Sequence, residues 1–255
     1  MNTNDSTLRI VLLQTNPAWL DTEANIATAE DLITRHAGAD LYVLPEMWAT
    51  GFSTREAHPA PEAHEWMVET ARSRGVAIVG SLPIEEGGKN YNRFYFVTPE
   101  AEYHYDKCHL FSYGGEDKHF SAGRKRVIVE WRGFRFLLAT CYDLRFPVFL
   151  RNRNDYDILL HVACWPDIRR SAYDTLLAAR AIENLCYVVS VNRTGREVFT
   201  GYDGGSRIVG PEGNVLCSLG AEPDVAQTVL SLSALRAYRH RFPFLSDADD
   251  FSLEI

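Results

Sequence analysis

The spacing of apolar residues changes several times along the chain, and those changes divide it into elements. Residues 8–14, 41–45 and 76–81 are short apolar runs rich in β-branched side chains and read as strands. Between them the period lengthens to that of a helix. A first helix is predicted to begin near Asp21 or Thr22 and to place Ile26, Ala29, Leu32 and Ile33 on one face; a second is predicted over residues 61–74. The pattern then shifts to strands at 93–98, 102–105, 126–131 and 134–139, broken at Pro99-Glu100 and Arg132-Gly133, so hairpins are expected there. Helix and strand alternate again with a helix after Pro147, a strand at 158–163, a helix at 172–185 and a strand at 187–192. The last third predicts strands at 206–209, 214–218 and 228–232 around the turn Gly210-Pro211-Glu212-Gly213, then a short helix from Ala234 toward His240. This order implies an α/β protein with mixed sheets covered by helices on their outer faces. No Pro/Gly/Ser-rich linker or fixed-period repeat divides the sequence, so residues 1–255 are expected to form one domain.

Composition narrows the picture. With 46% hydrophobic and 24% charged residues, the 255-residue chain can bury an ordinary globular core. It carries 26 Lys and Arg against 34 Asp and Glu, and the formal net charge of −8 argues against nucleic acid or an anionic membrane as partner. The one dense basic cluster, Arg124-Lys125-Arg126, reads as a solvated turn ahead of a strand. Met1 to Thr7 is polar and lacks the basic and apolar regions of a signal peptide, and no apolar run approaches the roughly 18 residues of a membrane span. A cytoplasmic location is therefore expected. The five cysteines, Cys108, Cys141, Cys164, Cys186 and Cys217, show no Cys-x-x-Cys spacing and suggest neither a disulfide framework nor a zinc finger.

Three strand ends carry reactive side chains. Leu41-Tyr42-Val43-Leu44-Pro45 ends in Glu46, followed by a largely apolar stretch that offers little water to the carboxylate, so an unusual pKa is expected. Tyr105-Asp106 ends in Lys107 and passes through Phe111 into a Gly-rich loop. The strand over 134–140 runs directly into Cys141, where the chain turns toward a helix. Backbone N–H groups and nearby cations at such a turn can lower a thiol pKa and stabilise an oxyanion. Taken singly, each also fits a structural role: a strand-end Glu, a surface Lys, a core Cys. Histidines, His109 among them, remain alternative bases for Cys141. His161-Val162-Ala163-Cys164-Trp165-Pro166 closes another strand, with Trp165 as a candidate pocket wall. There is no His-Glu-x-x-His, P-loop or Gly-x-Gly-x-x-Gly motif.

Together, Leu44-Pro45-Glu46, Asp106-Lys107-Cys108-His109-Leu110-Phe111 and Cys141-Tyr142-Asp143-Leu144-Arg145-Phe146-Pro147 closely resemble the Glu-Lys-Cys signature of the nitrilase superfamily of carbon–nitrogen hydrolases. The likeness extends over essentially the whole chain and looks strongest to the bacterial omega-amidases. It implies a four-layer α-β-β-α sandwich that pairs into homodimers. It also implies hydrolysis of a small-molecule amide, 2-oxoglutaramate or 2-oxosuccinamate, without metal or organic cofactor. By that resemblance Cys141 is the nucleophile, Glu46 the base, Lys107 an oxyanion partner, and Glu116, nine positions after Lys107, a second glutamate that positions substrate amide or water. The Tyr142 N–H joins Lys107 in holding the oxyanion, Arg145 is a candidate for the substrate carboxylate, and Trp165 and Phe111 would line the apolar wall. Another small aliphatic amide or carbamoyl compound remains an alternative substrate, and a scaffold that has lost the chemistry an alternative class.

Overall fold

The structure, a computed structural model, describes residues 6–53, 58–197 and 199–253; of the polar amino-terminal segment only Ser6 and Thr7 are among them. β1 (Thr7–Gln14), β2 (Leu41–Val43), β3 (Ala77–Glu86), β4 (Lys89–Val97), β5 (Glu102–Asp106) and β14 (Asp224–Ser231) form a first sheet in the order β14, β1, β2, β3, β4, β5. A second sheet contains β6 (Ile128–Trp131), β7 (Phe134–Thr140), β8 (Ile158–Ala163), β9 (Tyr187–Asn192), β12 (Arg207–Val209) and β13 (Val215–Ser218), in the order β13, β12, β9, β8, β7, β6. Each sheet has three parallel central strands, β1-β2-β3 and β7-β8-β9, flanked by antiparallel ones. A separate ribbon pairs β10 (Thr194–Arg196) with β11 (Gly201–Asp203).

Side-chain alternation along the strands produces the layers. On β1, Val11 and Leu13 pack with Ala29 and Ile33 of α1 (Thr22–Arg35) and with Ala63 and Met67 of α2 (Pro61–Arg74). Their neighbours Ile10 and Leu12 belong to a second core that includes Phe94, Phe96, Phe134 and Phe136 from both sheets. That core extends to Leu177 and Ala181 of α4 (Arg170–Asn184) and Leu235 of α5 (Leu232–Arg241). The result is the expected four-layer α-β-β-α sandwich. Local chemistry sets the helix ends: the Asp21 carboxylate accepts the Ala24 N–H at 3.0 Å to cap α1, and Pro61 opens α2.

Several expectations need correction. The β3–β4 hairpin runs well beyond the predicted strands, because Gly87 and Gly88, at φ 59° and 72°, turn it through a polar stretch that hides the pairing. β2 stops at Val43, and the helix after Pro147, α3 (Pro147–Leu150), is a single turn. β14 starts four residues earlier than predicted, and the β10–β11 ribbon was not anticipated. In the basic cluster, Arg124 and Lys125 are exposed, but Arg126 is half-buried in an ion pair with Asp155 and donates to the Phe149 carbonyl.

Candidate active site

Strand direction brings the reactive residues to one edge. β5 is antiparallel to β4, which is antiparallel to β3, so β2 and β5 run the same way and deliver Glu46 and Lys107 beyond their carboxyl ends. In the second sheet, parallel β7 and β8 deliver Cys141 and Cys164 in the same manner. Asp143 ties the two sets of loops together. Its carboxylate accepts the Thr140 N–H at 2.8 Å, the Tyr105 hydroxyl at 2.7 Å and the His109 N–H at 3.1 Å.

Glu46, Lys107 and Glu116 are fully buried. The Lys107 ammonium donates to Glu46 Oε1 at 2.8 Å and to Glu116 Oε2 at 2.9 Å. Asn92, on β4, donates its amide to Glu46 Oε1 at 2.7 Å and to Glu116 Oε1 at 3.2 Å. The Cys164 N–H occupies Glu46 Oε2 at 2.7 Å, and the Phe111 N–H occupies Glu116 Oε2 at 2.6 Å. These contacts account for both Glu116 oxygens, and Glu116 does not line the cavity. Glu46 and Lys107 likewise lie behind the cavity wall, so Glu116 belongs to the same buried cluster, in direct contact with Lys107.

Burial raises the Glu46 carboxyl above its ordinary value even though Lys107 opposes the shift. Burial works to lower the Lys107 ammonium, but Glu116 and Glu46 outweigh it and hold Lys107 protonated. The Cys141 thiol is pushed up, first by burial and then by Glu46, against the smaller opposing pull of Lys107 and the Cys164 N–H. The sequence suggested a thiol activated by a helix start and cations. Instead, Cys141 rests as a neutral thiol, with Glu46 among the groups that raise it.

Cys141 has φ +45°, in the left-handed region, so it sits on a strained turn between β7 and a short 3₁₀ segment. It lines a cavity of about 380 Å³ together with Phe111, Tyr142, Arg145 and Trp165, as the sequence led us to expect, and with Arg169, which it did not. Asn192 fixes Trp165 through hydrogen bonds to both its N–H and its carbonyl. The Arg145 guanidinium lies 4.8 Å from the Trp165 ring centre, and Arg169 lies 5.2 Å from that of Phe111. Among the described residues neither arginine has a carboxylate or carbonyl partner for its side chain. Every other buried or half-buried arginine does.

His109 is not aimed at the nucleophile: its ring binds Asp143 at 2.7 Å and stacks on Phe146 at 3.8 Å. Asn92, Arg169 and His161 were missed as site residues. A polar residue within a strand-like run was the only available signal for Asn92 and His161, and Arg169 lies in an unremarked turn. No group of three or more His, Cys, Asp or Glu side chains among the described residues could hold a metal ion. No helix among them is long and apolar enough to cross a membrane.

The chain belongs to the carbon–nitrogen hydrolase family, whose model matches residues 9–240. It is 42% identical to Omega-amidase YafV of Escherichia coli (strain K12), over 96% of this chain and 98% of that one. Its identity to 2-oxoglutaramate amidase of Bacillus subtilis (strain 168) is 32%, over 93% of this chain and 96% of that one. A CN-hydrolase superfamily protein from Xanthomonas campestris, crystallised with an arsenic adduct in its active site, superposes with a TM-score of 0.93 at 40% identity. That match covers 97% of this chain and 99% of that one.

Proposed function

We propose that this protein is an omega-amidase that hydrolyses 2-oxoglutaramate or 2-oxosuccinamate to the 2-oxo dicarboxylate and ammonia. One observation carries the substrate class: Arg145 and Arg169, both without a protein counter-ion among the described residues, line the cavity that Cys141 opens into. Two like charges in one pocket repel each other, and a substrate carboxylate with an adjacent oxo group relieves that repulsion with charge-assisted hydrogen bonds. The identity to Omega-amidase YafV and to a 2-oxoglutaramate amidase supports the same reading.

The reaction follows from the residue chemistry. Glu46 takes the Cys141 proton as sulfur attacks the amide carbon, and the oxyanion is held by Lys107 and the Tyr142 N–H. Glu46 then gives the proton to departing ammonia, leaving a thioester on Cys141. Water enters, Glu46 removes its proton as the oxygen adds to the thioester carbon, and the adduct expels the Cys141 sulfur, which takes the proton back from Glu46 to leave the carboxylic acid and free thiol. Asn92 and Glu116 hold Glu46 and Lys107 in place. The protein acts in the cytoplasm as a homodimer, as the family resemblance implies.

The test is ammonia release from 2-oxoglutaramate by wild type, Cys141→Ala, Arg145→Met and Arg169→Met. Release should vanish in the first variant. In the two arginine variants KM should rise about tenfold or more, the loss expected when a charge-assisted contact is removed. Wild-type turnover of an uncharged amide, with none of 2-oxoglutaramate, would move the substrate class elsewhere and leave the cysteine chemistry standing.

A further inference from the structure

His161 is fully buried at the middle of the second sheet, level with Ala139 on β7 and with Ser190 on β9. Its Nε2 lies 3.1 Å from the carbonyl oxygen of Cys141, and its Nδ1 lies 2.7 Å from the Ser190 hydroxyl. Ser190 in turn lies 2.6 Å from the hydroxyl of Tyr173, a buried residue of α4. A carbonyl can only accept, so Nε2 carries the proton and donates. Nδ1 of the neutral ring then accepts from Ser190, which leaves the Ser190 oxygen to accept from Tyr173. All three donors point one way, toward the nucleophile's backbone. Burial holds the ring neutral by lowering its pKa to about 4. A charged ring would donate from Nδ1 as well, so the Ser190 hydroxyl would lose the acceptor it has in the neutral ring.

The carbonyl of Cys141 and the N–H of Tyr142 belong to the same planar trans peptide, so they point in opposite directions. Holding the carbonyl against the sheet therefore aims the N–H away from it. We propose that His161 is a positioning residue that sets the aim of the Tyr142 N–H, the backbone donor for the oxyanion, by pinning the carbonyl of the strained Cys141 turn. The inference rests on the amidase reading above. Two features need this device. Cys141 is in the left-handed region, from which an unpinned peptide can relax by rotating. Tyr142 lies in the first turn of a five-residue 3₁₀ segment, where backbone N–H groups have no partner within the helix to hold them.

The test separates aiming from support, because acyl transfer builds an oxyanion and alkylation does not. In alkylation by iodoacetamide, Cys141 sulfur forms a bond to the methylene carbon as iodide leaves, and no charge develops on the carbonyl. Removing the donor with His161→Leu should lower kcat for the best amide by about 100-fold, as expected when an oxyanion donor is lost, with KM within about threefold. Iodoacetamide labelling of Cys141, read from the mass of its peptide, should stay within about threefold of wild type. His161→Gln keeps a donor near the Nε2 position and should recover kcat to within about tenfold of wild type. Ser190→Ala unlocks the tautomer and should cost about tenfold in kcat; with His161→Gln it decides the matter if the leucine variant does not fold. Unchanged kcat in His161→Leu and Ser190→Ala would overturn the inference alone, as would labelling that falls in step with kcat. Wild type inactive on every amide tried would overturn it together with the proposed function.

Discussion

The ring of His161 links the site to the stability of the whole chain. Its pKa falls from 6.5 to about 4 on burial, so between those values the unfolded chain binds more protons than the folded one. Unfolding free energy should therefore rise with pH across that window. The contribution is fully present above pH 6.5 and lost as pH falls through 4, on the order of 3 kcal/mol. Urea midpoints taken at intervals from pH 4 to 7 should show this slope in wild type and a shallower one in His161→Gln; parallel slopes would sink the assignment. At this scale the sequence was legible where motif and chemistry coincide. Glu46, Lys107 and Cys141 each follow the carboxyl end of a strand, and their order in the chain matches a known signature. Asn92 and His161 were illegible because their importance lies in contacts made across strands, which one-dimensional spacing does not encode. The sequence left open whether Cys141 is an activated thiol or core packing, because the upward shift comes from burial and Glu46 and depends on everything packed around the thiol.

Elements with covalently local causes were read closely. α2 was predicted over its full length because Pro61 at its start and Gly75 beyond its end are both local signals. α1 was located from its cap, and that cap is testable. Asp21→Ala removes the acceptor for the Ala24 N–H and should cost about 1 kcal/mol, a fall in melting temperature of about 2–4 °C for a chain of this size. Its kcat should stay within about threefold of wild type, because no residue of α1 itself lines the cavity, although Trp19, two residues before the cap, does. Calorimetry and the ammonia assay together check both halves of this expectation. The β3–β4 hairpin and β14 were read too short for a common reason. Strand residues that face solvent on one side carry polar side chains, and that pattern resembles a loop unless the partner strand is known.

For the molecule as a whole, mixed sheets covered by helices were foreseeable from the alternation of strands and helices, while the four-layer stack was implied only by the family resemblance. The order of strands within each sheet was not, since nothing local records which edges meet. The contact between sheets is carried by aromatic packing such as Phe96 on Phe136, with ring centres 5.1 Å apart. Phe136→Ala should cost about 3–5 kcal/mol by leaving a cavity between the sheets, measured as a lowered urea midpoint at unchanged m-value. The same seam runs through the catalytic centre: Glu46 and Lys107 leave the first sheet, and Cys141 leaves the second. In the mechanism proposed above, neither sheet alone contains both the base and the nucleophile. During refolding from denaturant, secondary structure can form within each half, but turnover returns only once the two halves have docked in register. Catalysis thus serves as a clock for the last long-range step of folding, and the lag between recovered circular dichroism and recovered ammonia release measures how long the halves wait for each other.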